Sequence, residues 1–89
     1  MFASISLKAA PKGFVPACYT QHGYSKEGNK VMRQWFKGEH VHFDYDMTTG
    51  EGIARVDNRE IGRWKDITVG MWGNILYTLQ TEFSHRIDS

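Results

Sequence analysis

The sequence predicts an α+β fold, a small antiparallel β-meander whose sheet is packed on one face by a C-terminal helix. Three observations carry this reading. Residues 39–46, Glu-His-Val-His-Phe-Asp-Tyr-Asp, alternate between apolar Val41, Phe43 and Tyr45 and polar His40, His42, Asp44 and Asp46. That is the two-residue period of a strand with one dry and one wet face. Gly28, Gly38, Gly50 and Gly62 recur at intervals of 10, 12 and 12 residues, the punctuation of short strands joined by turns. Finally, Met71, Trp72, Ile75, Leu76, Leu79 and Phe83 recur at three and four, which draws one apolar stripe on a helix.

Composition sets the bounds. The 89 residues are read as a single domain, 1–89, of a size that buries about 60–65 % of its unfolded surface. Five Phe, four Tyr and three Trp in a 40 % apolar chain supply one small core. The net charge of +1, eleven cations against ten carboxylates, advertises no general grip on a polyanion, which takes many phosphate-neutralising side chains. The lone Cys18 excludes an intramolecular disulfide framework and a Cys-x-x-Cys zinc knuckle. Its apolar neighbours make it a core filler rather than a nucleophile. Met1 to Leu7 is too short and lacks the basic start of a leader. No apolar run approaches the roughly 20 residues of a membrane span. The expectation is a cytoplasmic, membrane-free protein without a cofactor.

Taken in order, residues 2–8 read as a first strand, with Ala3, Ile5 and Leu7 on one face. Pro11 and Gly13 end it. Phe14 to Tyr24 resumes, its start confined by Pro16 to an edge or a loop. Asn29 to Lys37 fits a strand, and also a helix capped by Asn29 and closed at Gly38; the strand is preferred. Met47 to Gly52 is a polar loop, and Ile53 to Asp57 the next strand. Ile53 has the wrong parity for the core face, which suggests a bulge near Gly52. Asn58 to Gly62 reads as a turn. The helix is expected from about Thr68 to His85, with Asp66 or Thr68 as its cap and with His85 and Arg86 at the negative end of its dipole.

The connection at Lys37-Gly38 sets the register. A two-residue loop pairs Arg33 with His42, a four-residue loop pairs Arg33 with Asp44, and both keep the faces. A three-residue loop would reverse them. The dry face then collects Met32, Phe36, Val41, Phe43 and Tyr45, with Gln34 as an intruder, and the wet face gains Arg33, Trp35 and Arg55.

The sharpest chemical hint is His40-x-His42-x-Asp44, since alternate strand side chains point the same way and imidazole with carboxylate suits zinc. The pattern resembles the start of the metal motif in metallo-β-lactamase hydrolases, but Tyr45 stands where that motif has another histidine. The two-histidine motif of cupin barrels lacks its later half here. His40, His42 and Asp44 are therefore weak metal candidates, and the plainer reading pairs Asp44 or Asp46 with Arg33 or Arg55. No glycine-rich phosphate loop is present and no nucleophile stands beside a base, so no enzyme activity is expected.

Two binding readings follow. Arg33, Trp35, Lys37, His40, His42, Asp44 and Arg55 form a mixed basic, acidic and aromatic face. That blend suits a protein partner, as in a small inhibitor or adaptor of the kind phages and mobile elements encode. The alternative is single-stranded nucleic acid stacked on Trp35 among the cations, similar in outline to small single-strand-binding coactivator domains. An unpaired sheet edge could also join two copies into a homodimer by strand addition. A structural or assembly role is the third reading.

Overall fold

The computed structural model describes residues 5–36 and 40–83. Among the described residues five strands, β1 (Cys18–Tyr24), β2 (Lys30–Phe36), β3 (Val41–Asp46), β4 (Gly52–Val56) and β5 (Arg59–Trp64), precede one helix, α1 (Val69–Glu82). The strands pair antiparallel in chain order, β1-β2-β3-β4-β5, and α1 covers one face. The fold is thus the α+β meander that the alternation and the helical stripe predict.

Each strand divides its side chains by parity. Phe36, Val41, Phe43 and Ala54 face the helix and are buried with Ile75, Leu76 and Leu79 of α1. Trp64, Trp72 and Tyr45 pack around them, with Trp72 edge-on to both Phe43 and Tyr45 at 5.3 and 4.9 Å. Gly52 sits where Phe43 and Ile67 close over the backbone. A Cβ there would lie 2.5 Å from Ile67 Cδ1 and 2.7 Å from Phe43 Cε1, so any side chain would have to displace them. Gln34, the intruder on the dry face, is satisfied: its Oε1 accepts from Thr20 Oγ1 at 2.9 Å and from Cys18 Sγ at 3.4 Å. Cys18 is accordingly a half-buried packing residue whose thiol burial pushes above its ordinary pKa.

Segment 30–36 is a strand, so the helical alternative falls. Arg33 stands opposite Asp44 and Trp35 opposite His42, the register of the four-residue connection. Lys37, Gly38 and Glu39 of that connection lie outside the described residues, as do Phe2, Ala3, Ser4, His85 and Arg86.

Three expectations are corrected. Residues 5–8 form no strand. They belong to a strap, residues 5–17, that lies on α1 instead of joining the sheet. Lys8 N donates to Thr78 Oγ1 at 2.8 Å, Ala10 N to Asn74 Oδ1 at 2.9 Å and Ala17 N to Gln80 Oε1 at 2.7 Å. Ile5, Leu7 and Phe14 pack on the core, Phe14 edge-on to Tyr77 at 5.0 Å. Next, 59–64 is a strand and not a turn. The reversal falls on Asp57 and Asn58, both left-handed with φ of 52° and 67°, and Val56 pairs with Arg59 across them. Two consecutive left-handed residues make the tight hairpin turn whose twist matches a sheet. Lastly, the irregularity lies between Ala54 and Arg55, where Arg55 pairs with Glu60 and Ala54 with Gly62. Ile53 points to the open face as its parity demands, and no bulge at Gly52 is needed.

Thr68, not Asp66, caps α1: its Oγ1 accepts from Met71 N at 3.2 Å, which satisfies one of the orphan amides of the first turn. Among the described residues no helix is long and apolar enough to cross a membrane.

Candidate functional site on the open face of the sheet

The face away from α1 is built as cross-strand rows. One runs Tyr19, Trp35, His42, Arg55, Glu60; the next runs Gln21, Arg33, Asp44, Ile53, Arg63. A third begins Gly23, Val31, Asp46. Together they floor an open groove of about 830 Å³ whose lining includes Gln21, Arg33, His42, Asp44, Ile53, Arg55 and Arg63.

Asp44 is the hub. Arg33 grips its carboxylate with both arms, Nε to Oδ1 at 2.5 Å and Nη2 to Oδ2 at 3.0 Å. Arg55 Nη1 donates to the same Oδ2 at 2.9 Å from the other side. Two-armed guanidinium–carboxylate contacts are the strong, geometrically specific kind. His42 Nε2 lies 3.7 Å from Oδ2 and its side chain is only 5 % exposed. Burial pushes the imidazole below its ordinary pKa; Asp44 opposes this, while Arg33 and Arg55 reinforce it. The ring is therefore a neutral packing group at physiological pH.

Trp35 covers His42, ring centroids 4.6 Å apart, and carries the Arg33 guanidinium 5.3 Å above its own ring. Its indole Nε1 donates to Gln21 Oε1 at 2.9 Å. Trp35 is thus committed to neighbours on three sides and is not part of the groove lining.

No family model, curated protein or solved structure matches this chain. The surface must be read from its own chemistry.

Of the sequence-predicted residues, Arg33, Trp35, His42, Asp44 and Arg55 come together. Lys37 lies outside the described residues. His40 does not join them. It precedes β3, and its Nε2 lies 3.4 Å from the Phe83 carbonyl oxygen at the end of α1. The alternation that put it on the wet face holds only from Val41 onward, so His40 and His42 do not converge. Among the described residues no three His, Cys, Asp or Glu side chains gather as a metal site.

Asp46 also has a structural task. Its Oδ1 accepts from Thr48 N and Thr49 N at 2.8 and 3.1 Å, and its Oδ2 from Asn29 Nδ2 at 3.1 Å, which shapes the β3–β4 loop. Burial raises its pKa, but those hydrogen bonds outweigh burial and hold the carboxyl below the usual range. Sequence reasoning missed Glu60 and Arg63, joined by two bonds of 2.9 and 3.2 Å on β5. The signal was Asp57-Asn58, a turn-forming pair that turns the following residues into a strand.

Proposed function

We propose that the chain is a non-catalytic protein-binding module, a small inhibitor or adaptor, that docks its partner on the open face of the sheet around Asp44. The observation that carries this is the balance of charge in the groove. Lys26, Arg33, Arg55 and Arg63 line it together with Glu27, Asp44, Asp46 and Glu51, so the surface is close to neutral. Its arginines are already engaged: Arg33 and Arg55 with Asp44, Arg63 with Glu60. A phosphate backbone entering here would compete with those carboxylates and meet their repulsion. A protein surface of mixed charge would not. Ile53 supplies an apolar spot in the lining, and the paired arginines hold a fixed shape, which lowers the ordering cost of binding.

The support for a non-catalytic role is of the same kind. His42 is buried and neutral, and its carboxylate neighbour is held by two guanidiniums, an arrangement for rigidity rather than proton transfer.

The test is comparative affinity capture from host lysate with wild type and Ile53→Glu, beside titration with single-stranded oligonucleotide at low and moderate salt. A protein retained by the wild type and lost by Ile53→Glu is expected, with no oligonucleotide binding. Salt-sensitive oligonucleotide binding that Ile53→Glu weakens would overturn the reading in favour of nucleic acid.

A further inference from the structure

The two edges of the sheet are unlike. β5 carries Arg59, Glu60 and Arg63 and is irregular against β4, which are the features that keep an edge from pairing with another chain. β1, Cys-Tyr-Thr-Gln-His-Gly-Tyr, has none of them. It contains no Lys, Arg, Asp, Glu or Pro, and it pairs with β2 over seven consecutive residues without a bulge. Six of its seven residues are exposed, so neither face is covered. Among the described residues no strand pairs with its outer side.

We propose that β1 pairs antiparallel with β1 of a second copy about a two-fold axis at Gln21, joining two sheets into one of ten strands. The occupant is argued from the strand's fit to itself. An axis at Gln21 uses the whole strand: Cys18 faces Tyr24 of the second copy, Tyr19 faces Gly23, Thr20 faces His22, and Gln21 meets its own equivalent. Each bulky ring thereby falls opposite a small residue, on both faces of the sheet. Tyr24 and Tyr19, 73 % and 47 % exposed, are two of the most exposed large side chains of the described chain. The space above Gly23 is open, with nothing within 4 Å of a Cβ placed there, so a tyrosine ring from the second copy has room to lie on it. Aromatic side chains across from a strand glycine are a known way to repair the gap it leaves. No like charges meet at the axis, whereas they are costly when directly opposed.

Same-parity pairing keeps both open faces on one side. Gln21 and Gly23 belong to the groove lining, so the two grooves become neighbours on one continuous surface. The inference stands independently of what those grooves bind. A seven-residue ladder falls short of the about 1,200–2,000 Å² of a stable interface, so the dimer is a concentration-dependent one.

Sedimentation equilibrium tests it. The mass of the wild type is expected to climb from 10.3 kDa towards twice that value as concentration rises. Gln21→Lys and Gln21→Glu, folded by circular dichroism, should each stay at the monomer mass, and their equimolar mixture should regain the dimer. A wild type that stays monomeric throughout overturns the proposal. So does a dimer indifferent to both substitutions, or a mixture that remains monomeric. Should both variants fail to fold, amide exchange of wild-type β1 decides: slower exchange in concentrated than in dilute solution supports the pairing, and equal rates overturn it.

Discussion

Arg33 faces Asp44 directly across the β2–β3 ladder and holds both of its carboxylate oxygens, while Arg55 reaches the same carboxylate from β4. These three side chains tie three adjacent strands together on the face that the helix does not cover. Asp44→Ala is expected to cost about 2–3 kcal/mol, because it leaves two guanidiniums facing each other without their shared partner. Arg33→Ala should cost less, about 1 kcal/mol, since that side chain is 40 % exposed. Urea unfolding of both single variants and the double variant measures the coupling. Additive losses, within about 0.5 kcal/mol, would show the contact to be ornamental.

Acid should loosen the same site through His42. Burial holds its folded pKa below the ordinary value, so the unfolded chain takes up a proton first. The stability that comes from keeping the ring neutral is complete above about pH 6.5 and declines as pH falls through that value. Melting temperature should therefore drop between about pH 7 and pH 5, and His42→Gln should flatten the profile in that window. Asp46 and Glu60 contribute separately and lower down. Both carboxyls are held below their ordinary range, so their share is present above about pH 4.5 and lost below it. Parallel profiles for wild type and His42→Gln would remove His42 as the source.

Gly52 predicts a steric result. An alanine methyl would press into the Phe43 ring and Ile67, and overpacking of this kind costs about 1–3 kcal/mol. Gly23→Ala, in open space on β1, should stay within about 0.5 kcal/mol of wild type. Chemical denaturation of the two variants at low protein concentration compares them. Equal effects would mean that Phe43 and Ile67 can yield.

Thr78 is one of the α1 side chains that fasten the strap. It is buried in α1, accepts from Lys8 N and donates to the Asn74 carbonyl. Thr78→Val keeps the shape and deletes the acceptor, so the Lys8 amide is left unsatisfied at a cost of about 1–2 kcal/mol. Hydrogen exchange should quicken at Lys8 while β3 and β4 keep their protection. Uniform quickening across the sheet would mean that the strap is inseparable from the core.

Much of this was legible in the sequence because parity is a physical constraint. Val41, Phe43 and Tyr45 had to face the helix once 41–46 was a strand, and Arg33 opposite Asp44 followed from one permitted loop length. Other features depend on partners far along the chain. Ile5 and Leu7 alternate as a strand would, yet the segment takes its hydrogen bonds from Thr78 and Asn74, more than sixty residues away. Local pattern carries no trace of that. The burial of His42 is similar, since it rests on where the Trp35 ring lies and not on the residue's own neighbours. His40 shows the limit of alternation itself: it has the polar parity of the strand but precedes its first residue.

The strap has a consequence for how the molecule comes into being. All five strands pair with their sequence neighbours, so the meander can zip up progressively as it leaves the ribosome, each hairpin closing a short loop. The strap cannot. Its anchors, Asn74, Thr78 and Gln80, are synthesised after the entire sheet, and so is the helix that covers Phe43 and Val41. A nascent chain halted before residue 74 lacks Ile75, Leu76 and Leu79, which bury Phe36, Val41 and Phe43, and it lacks every side chain that anchors the strap. Covering of the sheet and capture of the strap therefore both wait for residues 74–80, and chaperone dependence of the nascent chain is expected to be greatest just before they emerge.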